Sequence, residues 1–246
     1  MRLDVEVPTA DGHSASTLHV PDGDGPWPAV LMFPDAGGIR GTFHDMGDHL
    51  AGFGYVVLVP DIYYRAGDWQ PFDVRTLFTD PDERARMGTL TSALTPPKII
   101  EDAGAYADFL LARPEVTGTA VGTTGYCLGG YLSMTAAGGL GTRIAAAASI
   151  HGGRIAVADE PTSPHLAADR IAAAVYVAGA QEDSHFTADQ AALLEQALTA
   201  ADVEHTVEIY PARHGFAVAD NPTFDADAQA RHWSALRTLY ADHLAR

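Results

Sequence analysis

Cysteine is almost absent from this chain of 246 residues: there is one, Cys127. A lone thiol can form no internal disulfide and no cysteine-based zinc centre. Lysine is also reduced to one, Lys98, among 15 basic residues set against 32 acidic ones, for a formal net charge of −17. Such a surface repels phosphate backbones and anionic lipid, so neither nucleic acid nor a membrane surface is an expected partner. No apolar run reaches the eighteen or so residues of a membrane helix. The opening MRLDVEVPTADGHSASTLHV has no signal-peptide core, so the expected location is cytoplasmic. Internal repeats and low-complexity linkers are missing too.

What is present is a core-forming composition, 47% hydrophobic and only 19% charged. The length suits one α/β domain spanning 1–246. Apolar runs bounded by turn residues predict strands at Leu3–Val7, Ser14–Val20, Ala29–Phe33, Tyr55–Val59, Ala120–Tyr126, Ala145–Ile150, Ala172–Ala178 and Glu204–Tyr210. Helical spacing predicts helices at Thr42–Gly52, Ile99–Ala112, Gly129–Ala137, Thr187–Ala201 and Asp225–Leu244. The later strands are continuously apolar, as parallel strands covered on both faces are. The expectation is a mostly parallel sheet of about eight strands with helices on both faces. One stretch breaks the rhythm. Residues 61–97 are long, aromatic and rich in proline, and they follow a strand end, where an insertion shapes a pocket.

The single thiol sits in Gly125-Tyr126-Cys127-Leu128-Gly129, between a predicted strand and a predicted helix. This fits Gly-x-nucleophile-x-Gly, the sharp strand-to-helix turn that exposes a nucleophile at a strand end. A thiolate there would lie at a helix N-terminus, where an anion is favoured. Such a nucleophile needs a histidine and an orienting acid beyond other strand ends. His214, in "PARHGFAV" after the last strand, is the histidine so placed; Asp183, in "GAQEDSHF", is the acid, with Glu182 its rival. All three fall on one edge of the sheet.

The combination of "GYCLGG", "GAQEDSHF" and "RHGF" resembles the dienelactone hydrolase family, a branch of the α/β-hydrolase fold with a Cys-Asp-His triad. The likeness extends upstream through "VLMFPDAGGIRGTFHDMGDHLAGFGYVVLVPDIYYR" and covers nearly the whole chain. It implies a carboxylic ester hydrolase acting on a small lactone or activated ester, with no metal and no organic cofactor. It implies Cys127 as nucleophile, and the N–H groups of Ala36 and Leu128 as oxyanion donors. A general carboxylesterase or thioesterase with the same triad is an alternative reading, as is a non-catalytic small-ligand binder. Asp35 occupies the place of the family's acidic residue after the third strand, usually glutamate, and is a candidate modulator of the thiol.

Val218 stands where classical members carry a carboxylate-binding arginine four residues after the histidine. The expected substrate is therefore less anionic, held by Tyr63, Tyr64, Trp69, Phe72, Phe78 or His151. Arg65, Arg75, Arg84 and Arg86 are the remaining candidate cations for a carboxylate. The pairs Asp45/His49 and His44/Asp48 have metal-ligand spacing but equally describe a solvated helix face, and no metal is expected.

Overall fold

In the computed structural model, which describes residues 1–244, one eight-stranded sheet runs in the order β1-β2-β4-β3-β5-β6-β7-β8. The strands are β1 (Arg2–Thr9), β2 (Gly12–His19), β3 (Ala29–Phe33), β4 (Val56–Pro60), β5 (Val121–Tyr126), β6 (Ile144–Ile150), β7 (Ala174–Glu182) and β8 (His205–Arg213). The first two form an antiparallel hairpin laid against β4, and β3 to β8 run parallel. The helices are α1 (Gly41–Ala51), α2 (Pro81–Ser92), α3 (Pro96–Leu111), α4 (Leu128–Leu140), α5 (Ala188–Ala200) and α6 (Ala226–His243).

Side chains alternate across the pleat, so each buried strand feeds two cores. In β3, Leu31 and Phe33 join the core beneath α3, α4 and α5, while Val30 and Met32 join the core beneath α1 and α6. All five residues of β3 are buried, which is why the strand reads as an unbroken apolar run. Among the described residues no helix is long and apolar enough to cross a membrane.

Several boundaries differ from the sequence reading. Strand β7 continues four residues beyond Ala178, and β8 three beyond Tyr210. Asp183 and His214 therefore follow their strands directly. Within 61–97 the chain forms a 3-10 turn at Tyr64–Ala66, helix α2 and the first turn of α3. Helix α2 has no long apolar stripe: it buries no residue fully, and only Met87 and Leu90 pack partly against the core. Its local signal is the cap: Asp80 accepts the N–H groups of Asp82 and Glu83, Pro81 stands in the first turn, and two acids follow.

Candidate active site

The parallel strands all end on one edge, and the site is built there. Between β5 and α4 the chain reverses at Cys127, whose φ of 54° and ψ of −113° lie where side chains other than glycine's are strained. Two glycines permit the turn. A Cβ on Gly125 would sit 1.9 Å from the Gly129 carbonyl oxygen, and one on Gly129 would sit 2.3 Å from that of Phe33. The Cys127 N–H is shared between the Ile150 carbonyl at 3.1 Å and His151 Nδ1 at 3.2 Å.

His214, directly after β8, lines the same small cleft as Cys127, whose charge acts on its ring. Its Nδ1–H donates to Asp183 Oδ2 at 2.7 Å, and Asp183 Oδ1 accepts the His185 N–H at 2.7 Å. The Asp183 side chain is fully enclosed. Burial alone would favour the neutral His214 ring. The charge of Cys127 and the hydrogen bond to Asp183 outweigh it and raise the His214 pKa to about 10. Glu182, the rival acid, points into solvent and faces Arg213 at 3.5 Å.

Two backbone N–H groups, those of Leu128 and Ala36, have no protein acceptor among the described residues. Leu128 opens α4, where the first N–H groups have no helical acceptor. Tyr63 braces the Ala36 loop by donating its hydroxyl to the Ala36 carbonyl at 2.9 Å. Burial, then the charges of Asp35, Cys127 and Asp61, hold that phenol above its ordinary range, so it stays a donor.

Cys127 and His214 open on a small cleft walled by Val74, Leu77 and Phe78 of the 61–97 segment. Asp35, His151 and Asn221 also line it. Of the six candidate substrate-binding residues, only Phe78 and His151 reach this cleft. Phe78 is 50% exposed and forms the rim. His151 is fully buried at the end of β6 with φ 39°, its ring 5.2 Å from that of His214. Burial, followed by the charges of His214 and His232, pushes its pKa well below the usual value, and the neutral ring accepts at Nδ1.

The other four serve the segment itself. Tyr63 is the brace just described, and Tyr64 donates to Asp102 at 2.8 Å. The Trp69 indole N–H donates to Asp61, and Phe72 packs under Arg86, whose guanidinium lies 3.7 Å from the ring centre. Periodicity could not separate these residues from Val74 and Leu77, since all lie in irregular backbone.

Asp35 lines the cleft, but its carboxylate is engaged: Oδ1 accepts the Gly37 N–H at 2.8 Å, and both oxygens are bound by Arg40. Arg40 escaped the sequence reading; its only local sign was a cation five residues after Asp35 in "DAGGIR". Arg65 is paired with Asp102 and Asp11, Arg75 with Asp73 and Arg86 with Glu83, while Arg84 is exposed on α2; none lines the cleft. Val218 is completely buried between the sheet and α6, away from the cleft. The pairs in "FHDMGDH" separate: Asp48 accepts from buried His19 at 2.7 Å, His44 contacts Thr17, and His49 packs on Trp233. Among the described residues no three His, Cys, Asp or Glu side chains are grouped as metal ligands would be.

Residues 15–244 match the model of the dienelactone hydrolase family. A Synechocystis sp. protein provisionally named a carboxymethylenebutenolidase is 28% identical over 243 residues, covering 98% of this chain and 96% of its own. An Escherichia coli K12 protein of the same provisional name is 26% identical over 220 residues, covering 87% and 76%. In fold, the chain resembles a dienelactone hydrolase, so designated provisionally, from Klebsiella pneumoniae, with a TM-score of 0.83 at 22% identity and 99% of both chains covered. It also resembles a dienelactone hydrolase from Anabaena variabilis, with a TM-score of 0.70 at 17% identity, covering 100% of this chain and 99% of that one. The sheet order, the elbow between β5 and α4, and the match across 15–244 place this chain in the dienelactone hydrolase family, as a hydrolase of the α/β-hydrolase fold.

Proposed function

We propose that this hydrolase cleaves small, uncharged lactones or activated esters through an acyl-cysteine intermediate. One observation carries the reading: the chain's single thiol stands at a strained elbow, in one small cleft with a histidine that a buried carboxylate holds. The thiolate of Cys127 attacks the carbonyl carbon. The carbonyl oxygen becomes an oxyanion received by the Ala36 and Leu128 N–H groups. The carbon–oxygen bond to the leaving group then breaks, and His214 Nε2–H gives its proton to the departing alkoxide. A water, losing a proton to His214, attacks the thioester and restores the thiolate. Asp183 keeps the His214 proton on Nδ1 and stabilises the imidazolium.

The uncharged preference follows from the cleft's charges. Asp35 is its lining carboxylate, the His214 imidazolium is matched by Asp183 and the thiolate, and Arg40, which binds Asp35, is already shared by two carboxylates. A substrate anion would be buried without a partner, which is costly.

With one cysteine in the chain, iodoacetamide has one thiol to alkylate. Stoichiometric labelling is expected to abolish turnover of a neutral aryl ester. Cys127→Ala is expected to lose on the order of 10³-fold or more in kcat. A fully labelled, fully active protein would end the acyl-cysteine reading.

A further inference from the structure

Arg40 carries five N–H donors, and all five are in use. Nη1 donates to Asp35 Oδ1 at 2.7 Å and to the Gly38 carbonyl at 3.1 Å. Nη2 donates to Asp35 Oδ2 and to Asp220 Oδ1, both at 2.9 Å, and Nε donates to Asp220 Oδ2 at 2.7 Å. The Arg40 and Asp35 side chains are 10% and 9% exposed, whereas that of Asp220 is 38% exposed. One guanidinium thus joins the loop after β3, which holds Ala36, to the loop after β8, which holds His214. Burial penalises its charge, but Asp35 and Asp220 outweigh that penalty and hold its pKa above the usual value.

The arrangement bears on the thiol. Asp35 and Cys127 line one small cleft, and their charges both act on the buried Tyr63 hydroxyl. A shielded carboxylate there would disfavour a second anion nearby, because screening by water is weak at such a site. The other groups around Cys127 are different in kind. His214 stands at the end of β8, with Asp183 bonded to it and the His185 ring 5.3 Å away. Neutral His151 closes β6, and Tyr63 and Asp61 follow β4. Asp183 is matched by its hydrogen bond to His214, and Asp61 accepts from Trp69 and the Tyr63 N–H. Asp35 is matched by Arg40.

We propose that Arg40 is a positioning residue that neutralises Asp35 beside Cys127, so that no unpaired carboxylate opposes the attacking thiolate. The proposal rests on the acyl-cysteine reading above. A planar fork that grips both oxygens of Asp35 while its other edge holds Asp220 is a role for arginine and not for lysine.

The test compares wild type, Arg40→Gln and the double variant Arg40→Gln/Asp35→Asn, each first checked for folding by thermal melting. The readouts are the rate of iodoacetamide alkylation at pH 7, and kcat and KM for a neutral aryl ester. Arg40→Gln is expected to slow alkylation on the order of tenfold, with a similar fall in kcat and little change in KM. Removing the Asp35 charge in the double variant is expected to restore most of the alkylation rate, which repair of a merely structural defect would not do. Alkylation at the wild-type rate in Arg40→Gln, or a double variant as slow as the single, overturns the proposal. If Arg40→Gln does not fold, Arg40→Lys takes its place and the same rescue decides. Wild type that is fully labelled yet active would sink the acyl-cysteine reading itself, whatever the Arg40 variants do.

Discussion

Asp183→Asn separates the charge of the proposed triad acid from its shape. The wild-type carboxylate is fully enclosed and uses both oxygens, one for His214 Nδ1–H and one for the His185 N–H, each at 2.7 Å. The amide fills the same space, but its NH2 turned toward His214 requires a proton-free Nδ1. The ring proton then sits on Nε2, and the nitrogen facing Cys127 can no longer act as a base. The expected loss in kcat is on the order of 10⁴, equivalent to about 5.5 kcal/mol of transition-state stabilisation. The assay is steady-state hydrolysis of a neutral aryl ester, with Glu182→Gln as control. That side chain is 74% exposed, so its loss is expected to leave kcat within about twofold.

A stability measurement checks the same bond independently. His214 is raised in the folded state to about 10, from an ordinary value of 6.5. A group raised on folding contributes its full stabilisation below about pH 6.5 and loses it as pH rises through about 10. The gap in urea midpoint between wild type and Asp183→Asn is therefore expected to be widest near pH 6 and to narrow toward pH 10. A kcat within tenfold of wild type, a larger effect from Glu182→Gln, or a gap that widens with pH would each refute the assignment of Asp183.

The elbow predicts that Gly129→Ala will fail to accumulate as folded protein or will melt far lower, because its Cβ would press on the Phe33 and Pro34 carbonyl oxygens at 2.3 and 2.5 Å; normal melting with normal kcat would contradict the geometry. For substrate charge, kcat/KM for a neutral lactone is expected to exceed that of its carboxylate-bearing counterpart, and a native preference for the anion that weakens with salt would show the opposite. Phe78→Arg, on the rim of the cleft, is expected to shift that ratio toward the anion by on the order of tenfold. Val218→Arg instead buries a charge in the core and is expected to unfold the protein, as read by its melting curve.

The architecture was legible wherever burial repeats along the chain. The eight strands and the amphipathic helices α1, α3, α5 and α6 show in the hydrophobic pattern because each lays an apolar face on the sheet. Helix α2 did not show, since it buries no residue fully and lays only Met87 and Leu90 partly against the core. The family pattern around Cys127, Asp183 and His214 was legible for a related reason. Backbone turns impose local demands: Gly125 and Gly129 are needed for the elbow whatever surrounds it.

The sequence alone therefore determined the features that depend on neighbours along the chain: the alternation of strands and helices, the glycine-flanked thiol, and an acid and a histidine following strands β7 and β8. Tertiary structure decided the features that depend on distance between remote segments. It turned Val74 and Leu77 toward the thiol, while Tyr64 and Trp69 found partners in Asp102 and Asp61. It buried Val218 away from the cleft and closed Asp35, Arg40 and Asp220 into one network across 180 residues. A side chain's direction within an irregular loop, and the partner that satisfies a buried charge, follow from packing in three dimensions, for which residue order carries no periodic signal.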